Sequence, residues 1–160
     1  MRELFAFPNP VNEKAARTVA GVVLATVVVI LITGWDWLLI GLAYGFWARV
    51  LTGPTLSPLG WTAQNVIAPR LGPRRPVPGP PKRFAQGIGL VFSGVAGLLA
   101  LFGLRTEAYV VLGLLIAAAS LESFAGYCLG CRIFGLLMKV GVVPEDVCER
   151  CADIWARPAA

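Results

Sequence analysis

The spacing of the cysteines indicates a reactive site more clearly than that of any other residue type in this chain. All four cysteines fall in two CxxC pairs, Cys128 with Cys131 and Cys148 with Cys151. Two thiols three residues apart share one helical face, and the second thiol of such a pair can resolve a mixed disulfide. The chain contains no histidine, which excludes a Ser-His-Asp triad and an HExxH metal site. The spacing therefore predicts redox or sulfur-carrying dithiols as the catalytic residues.

Two other interpretations of the cysteines stay open. The pattern C-x2-C-x16-C-x2-C lies in the range of four-cysteine zinc sites, with Cys128, Cys131, Cys148 and Cys151 as ligands. Against zinc, both pairs are predicted to be helical and not in knuckle turns. Alternatively, the cysteines serve only as small apolar residues in the packing, and their thiols are unreactive. A thiol relay needs no cofactor, whereas the metal interpretation requires Zn. The sequence does not decide whether the protein is an enzyme.

The residues just before the first pair are predicted to set its reactivity. Gly126 can break the preceding helix, which would leave Cys128 near the N-terminus of a new helix running to Met138. The positive end of a helix lowers the pKa of a thiol, and Arg132 adds positive potential. Cys128 is therefore expected to be the more reactive thiol.

Glu122 is the second candidate for chemistry, because an ionisable residue inside an apolar helix is a functional candidate by default. It lies six residues before Cys128 and on a straight helix would not share its face. We expect either a carboxyl group bonded to Ser120, Ser123 or a neighbouring helix, or a proton relay that tunes the dithiol. The second role requires the break at Gly126.

The composition identifies the environment that holds these residues. Of the 160 residues, 57% are hydrophobic and 14% are charged, whereas soluble domains carry about 25% charged residues. We predict an all-α, polytopic membrane protein whose main partner is the lipid bilayer. The net charge of +5 is explained by basic residues flanking membrane helices, and no nucleic-acid partner is expected. Homo-oligomerisation is left open.

The apolar runs predict one membrane domain over residues 1–160, a four-transmembrane-helix bundle. Its spans are expected at about 15–33, 37–52, 84–104 and 108–127, the first serving as the targeting signal. A proline- and arginine-rich segment, 53–83, is predicted to be a cytoplasmic connector, with its proline-dense part extended. The cysteine-bearing tail, 128–160, is predicted to be cytoplasmic, with a short amphipathic helix over 144–155.

The distribution of Lys and Arg predicts the orientation. The N-terminal arm, residues 49–83 and the tail after Cys128 contain three, six and four basic residues, whereas the two intervening turns contain one, Arg105. Basic residues concentrate on the cytoplasmic side. Both termini and both CxxC pairs are therefore expected to face the cytoplasm.

Four stretches carry a resemblance to a known family. They are Phe7–Asn12, Thr52–Pro58, Pro80–Gln86 and Cys128–Cys131. With them the chain resembles small bacterial four-span membrane proteins classified as a domain of unknown function. The resemblance implies that the first CxxC is a family feature, that the protein resides in the bacterial plasma (inner) membrane, and that thioredoxin-like or rhodanese-like proteins are its soluble partners.

Overall fold

The computed structural model describes residue 7 and residues 9–144. Within them, three helices are long and apolar enough to cross a membrane: α1 (Glu13–Thr33), α5 (Gly79–Leu101) and α6 (Arg105–Ala125). A fourth apolar helix, α2 (Leu38–Thr52), is shorter, with fifteen residues. The protein is thus mainly helical, as predicted, and its long helices suit a bilayer.

The helices pack around α5, which contacts α2 and α6, while α1 packs against α6. The core contains Val27 and Ile30 of α1 together with Leu112 of α6, all fully buried. Close packing of α2 against α5 depends on a glycine. A Cβ atom on Gly89 would lie 2.2 Å from the Phe46 ring, so no larger residue fits there without a shift.

The two turns of the bundle that contain few basic residues lie at the same end. Arg105, at the start of α6, donates to Asp36 in the turn between α1 and α2, with 2.7 Å between Nη2 and Oδ2. Trp35 and Trp37 flank this contact, and both are exposed. The chain segments that hold the remaining basic residues within the described part of the chain lie toward the opposite end.

The connector between α2 and α5 contains more structure than an extended linker. It forms α3 (Pro58–Thr62), a π-helical turn (Ala63–Ile67) and α4 (Ala68–Arg70), and then strand β2 (Pro76–Val77), which pairs antiparallel with β1 (Val11–Asn12). Helix α5 also begins at Gly79, whereas the sequence predicted Phe84. The physical reason is that prolines in the first turn of a helix remove N–H groups that have no intrahelical partner anyway.

The last described helix, α7 (Leu129–Lys139), follows a sharp turn after α6 and packs against α5. Gly126 ends α6 in a left-handed conformation, with a φ of 66°. A residue with a side chain is strained in that conformation, which explains a glycine at the position. The helix predicted over 144–155, with Cys148 and Cys151, lies outside the described residues.

Candidate functional site

The turn after α6 is held by an arginine from α1. Arg17 donates from Nε to the Ser123 carbonyl oxygen at 3.1 Å and from Nη2 to the Phe124 carbonyl oxygen at 2.8 Å. These carbonyls belong to the last turn of α6, where backbone oxygens lack intrahelical donors and a cation is favourable. Arg17 thus fixes the point at which the chain turns toward Cys128.

Cys128 is the N-cap residue of α7. Its sulfur accepts a hydrogen bond from the backbone N–H of Cys131, with 3.4 Å between sulfur and nitrogen. An N-cap side chain normally supplies an oxygen to an unpaired N–H of the first helical turn. Here a thiol takes that place, so its sulfur lies at the positive end of the helix. The prediction of a helix break at Gly126 with Cys128 at the start of the next helix agrees with this geometry.

A close contact holds this end of α7 against α5. Gly130, between the two cysteines, lies so near Ala85 that an added Cβ would be 2.5 Å from the Ala85 Cβ. The aromatic rings of Phe84 and Phe134 meet nearby, with 5.6 Å between centroids. The dithiol is therefore held against α5 by this packing, in addition to the turn after α6.

A buried ion pair lies in the same region. Lys82 of α5 donates from Nζ to Oε1 of Glu122 of α6, and their side chains are 8% and 15% exposed. Of the two expectations for Glu122, a bond to a neighbouring helix is therefore observed, and its partner is a lysine. The pair joins α5 to α6, and both of its charges act on Cys128.

Lys82 lies beside the dithiol but is missing from the residues predicted for the site, because the sequence assigned it to the connector. A signal for it exists in the spacing of α5. Lys82, Gly89, Ser93 and Ala96 are all buried and follow one another at helical intervals on a single face. Extending that face backward from the apolar span would have placed Lys82 inside the bundle.

The electrostatic environment makes the two thiols unequal. The pKa of Cys128 is lowered, mainly by a hydrogen bond from the Cys131 thiol and further by the charge of Lys82, against opposing effects of burial and Glu122. The same hydrogen bond raises the pKa of Cys131, and burial adds to the rise. Cys128 is therefore the more acidic thiol of the pair and Cys131 the less acidic one.

The other predicted cysteines are not brought into this site by the described structure, since Cys148 and Cys151 fall outside it. Within the described residues, no group of three or more His, Cys, Asp and Glu side chains is arranged to hold a metal ion. The zinc interpretation consequently depends on the second pair. Cys128 is buried and Cys131 is partly exposed.

Comparison with known proteins identifies the family. Residues 11–139 match the family model described as Domain of unknown function (DUF4395), and the chain belongs to that family. This confirms the resemblance to a family of unknown function. The match includes Lys82, Glu122, Cys128 and Cys131 and ends before Cys148. No curated protein and no solved structure is significantly similar to the chain.

Proposed function

We propose that this member of the DUF4395 family is a membrane-embedded thiol relay in which Cys128 and Cys131 exchange a disulfide or a persulfide with a soluble partner. One observation carries the proposal. The Cys128 sulfur caps α7 and accepts a hydrogen bond from the Cys131 N–H, beside a buried lysine. A CxxC pair with one acidified thiol and one protonated thiol is the arrangement that thiol–disulfide exchange uses.

In disulfide exchange, the Cys128 thiolate attacks one sulfur of a thioredoxin-like partner's disulfide. The partner's S–S bond breaks, a mixed disulfide forms and a partner thiolate leaves. Cys131 then loses its proton and attacks the Cys128 sulfur, which forms the Cys128–Cys131 disulfide and releases the second partner thiolate. Two electrons pass to the partner, and its two thiolates take up protons, one of them the proton lost by Cys131.

Persulfide exchange uses the same nucleophile. The Cys128 thiolate attacks the outer sulfur of a rhodanese-like partner's persulfide, so the partner leaves as a thiolate and Cys128 becomes the persulfide. Cys148 and Cys151 would pass oxidising equivalents or sulfur onward. In both versions Lys82 stabilises the negative charge on sulfur, and Glu122 limits that effect by pairing with Lys82.

For the membrane arrangement we propose four spans in the bacterial plasma membrane, with α2 as the short second span and both termini in the cytoplasm. The contact of Arg105 with Asp36 supports this arrangement, because it joins the two turns that contain few basic residues at one end. The dithiol and the basic segments then share the cytoplasmic end, in agreement with the positive-inside rule.

Labelling of single cysteines tests the orientation. Thr106→Cys and Arg74→Cys, each in a chain whose own cysteines are serine, place one exposed thiol at each end of the bundle. In inside-out vesicles, a membrane-impermeant maleimide should label the cysteine at position 74 and spare that at 106. Labelling at 106 alone would reverse the proposed orientation.

Trapping of the mixed disulfide tests the reaction. We replace Cys148 and Cys151 by serine throughout, add Cys131→Ser, and mix the protein with an oxidised thioredoxin-like protein. Without the resolving thiol, the adduct on Cys128 should accumulate and be visible by mass spectrometry. The matched control is Cys128→Ser in the same background, which should give no adduct.

Metal content separates the relay from a zinc scaffold. The relay predicts purified wild-type protein without stoichiometric zinc and with fast-reacting thiols. One zinc per chain, with thiols that react only after chelation, would refute the relay and establish a structural four-cysteine site instead.

A further inference from the structure

A second buried cation, Arg49, lies at the last turn of α2 and takes no part in the thiol chemistry. It is 5% exposed. Its Nε donates to Oε1 of Gln86 at 2.7 Å, its Nη1 donates to Oγ of Ser57 at 3.3 Å, and its guanidinium lies 4.7 Å from the centroid of the Phe46 ring. All three groups are neutral. Among the described residues, the buried Nη2 of Arg49 has no hydrogen-bond partner.

This arrangement is costly for an isolated guanidinium. A charge removed from water is normally paired with an opposite charge, and a buried donor without an acceptor adds a further penalty. Glu122, the carboxylate of the neighbouring helix α6, already pairs with Lys82. Arg49, Lys82 and Glu122 together carry one excess positive charge, which a single negative charge would neutralise.

A small cavity adjoins these groups. Its volume is about 60 Å³, and it lies between α1, α2, α5 and the segment that leads into α3. Since roughly 10–15 Å³ of such space already holds one water molecule, the cavity has room for a small ion. The side chains that line it include Arg49, Lys82, Gln64 and Gln86, together with Ala16 and Val19.

We propose that this cavity binds a small monovalent inorganic anion, such as a halide, with Arg49 as its principal ligand. Three observations agree: a buried guanidinium with no carboxylate partner among the described residues, two amide side chains able to donate, and a small cavity lined by Arg49 and both glutamines. Lys82 lines the same cavity, so the anion and the Glu122 carboxylate share its charge. The proposal does not rest on the thiol relay and would hold if the cysteines were inert.

Chloride binding tests the site directly. Purified full-length protein in phosphatidylcholine nanodiscs is titrated with sodium chloride, with sodium gluconate holding the ionic strength constant. Chloride-35 line broadening, corrected for empty nanodiscs, should saturate with one site per chain. Arg49→Gln should weaken the binding by roughly tenfold or more, because a charge-assisted hydrogen bond is lost.

Two further variants keep the test decisive. Arg83→Gln removes the same charge from a neighbouring exposed position that does not line this cavity and should leave the affinity unchanged. Ala16→Leu fills the cavity while Arg49 stays in place, and it should abolish binding even if Arg49→Gln does not fold. The proposal is overturned if wild-type protein shows no saturable broadening, or if the Arg49→Gln or Ala16→Leu protein binds chloride as tightly as wild type.

Discussion

The buried pair of Lys82 and Glu122 gives the sharpest quantitative prediction. Both side chains are largely removed from water, at 8% and 15% exposure. Removing one partner of such a pair leaves an uncompensated charge in a low-dielectric site, at a cost of about 3–5 kcal/mol. Since whole domains are stable by about 5–15 kcal/mol, Lys82→Met should remove a large part of the free energy of unfolding.

A double-mutant cycle separates the pair from the rest of the fold. Glu122→Leu alone should be destabilising for the same reason as Lys82→Met. The double variant Lys82→Met/Glu122→Leu should be close to wild type, because replacing both partners by apolar residues removes the desolvation cost together with the attraction. Unfolding is followed by circular dichroism in mixed micelles, with increasing mole fraction of denaturing detergent.

The exposed pair at the other end of the bundle supplies the control. Arg105 is 62% exposed where it meets Asp36, so Arg105→Met should cost no more than about 1 kcal/mol. Two results would show that Lys82 and Glu122 do not form a buried ion pair. One is a loss for Lys82→Met as small as that for Arg105→Met, and the other is a double variant that shows the full sum of both single losses.

Three further predictions concern the dithiol and its support. The pH profile of Cys128 alkylation, read by mass spectrometry, should have its midpoint below that of an ordinary thiol. Cys131→Ala should shift this midpoint upward, because the hydrogen-bond donor that lowers the pKa of Cys128 is lost. An unshifted profile would contradict that hydrogen bond. Glu122→Gln should shift the Cys128 profile to lower pH, because the Glu122 carboxylate raises the pKa of Cys128. An upward shift would mean that this carboxylate lowers the pKa of Cys128 instead. Gly130→Ala should destabilise the protein by about 1–3 kcal/mol, because the added methyl group clashes with α5. Gly87→Ala is the control and should not destabilise it, because the space around Gly87 is open. Equal denaturation midpoints for the two variants would refute the close contact at Gly130.

The sequence allowed several features of the site to be predicted, because local rules decide them. The left-handed turn at Gly126 and the start of a new helix beside Cys128 follow from glycine and helix-capping chemistry, which act over a few residues. The approximate extent of the long helices follows from hydrophobic length.

The contacts that complete the site depend on how whole helices pack. The partner of Glu122 is set by the rotation of α5 against α6, which no local pattern encodes. Lys82 was also obscured by the prolines around it, since these suggested a connector where the first turn of α5 begins. Arg49 counts in the sequence only as one of the basic residues of 49–83, and its burial depends on the packing of α5 and of the residue that caps α3.

A redox titration of the first CxxC pair tests the central claim most directly. Protein with Cys148→Ser and Cys151→Ser is equilibrated across ratios of reduced to oxidised dithiothreitol, quenched with acid and alkylated, and its tryptic peptides are weighed. The relay predicts a single two-electron transition in which the peptide containing Cys128 and Cys131 loses two hydrogen atoms and both alkylation sites together. Persistence of two alkylatable thiols at every ratio would contradict it.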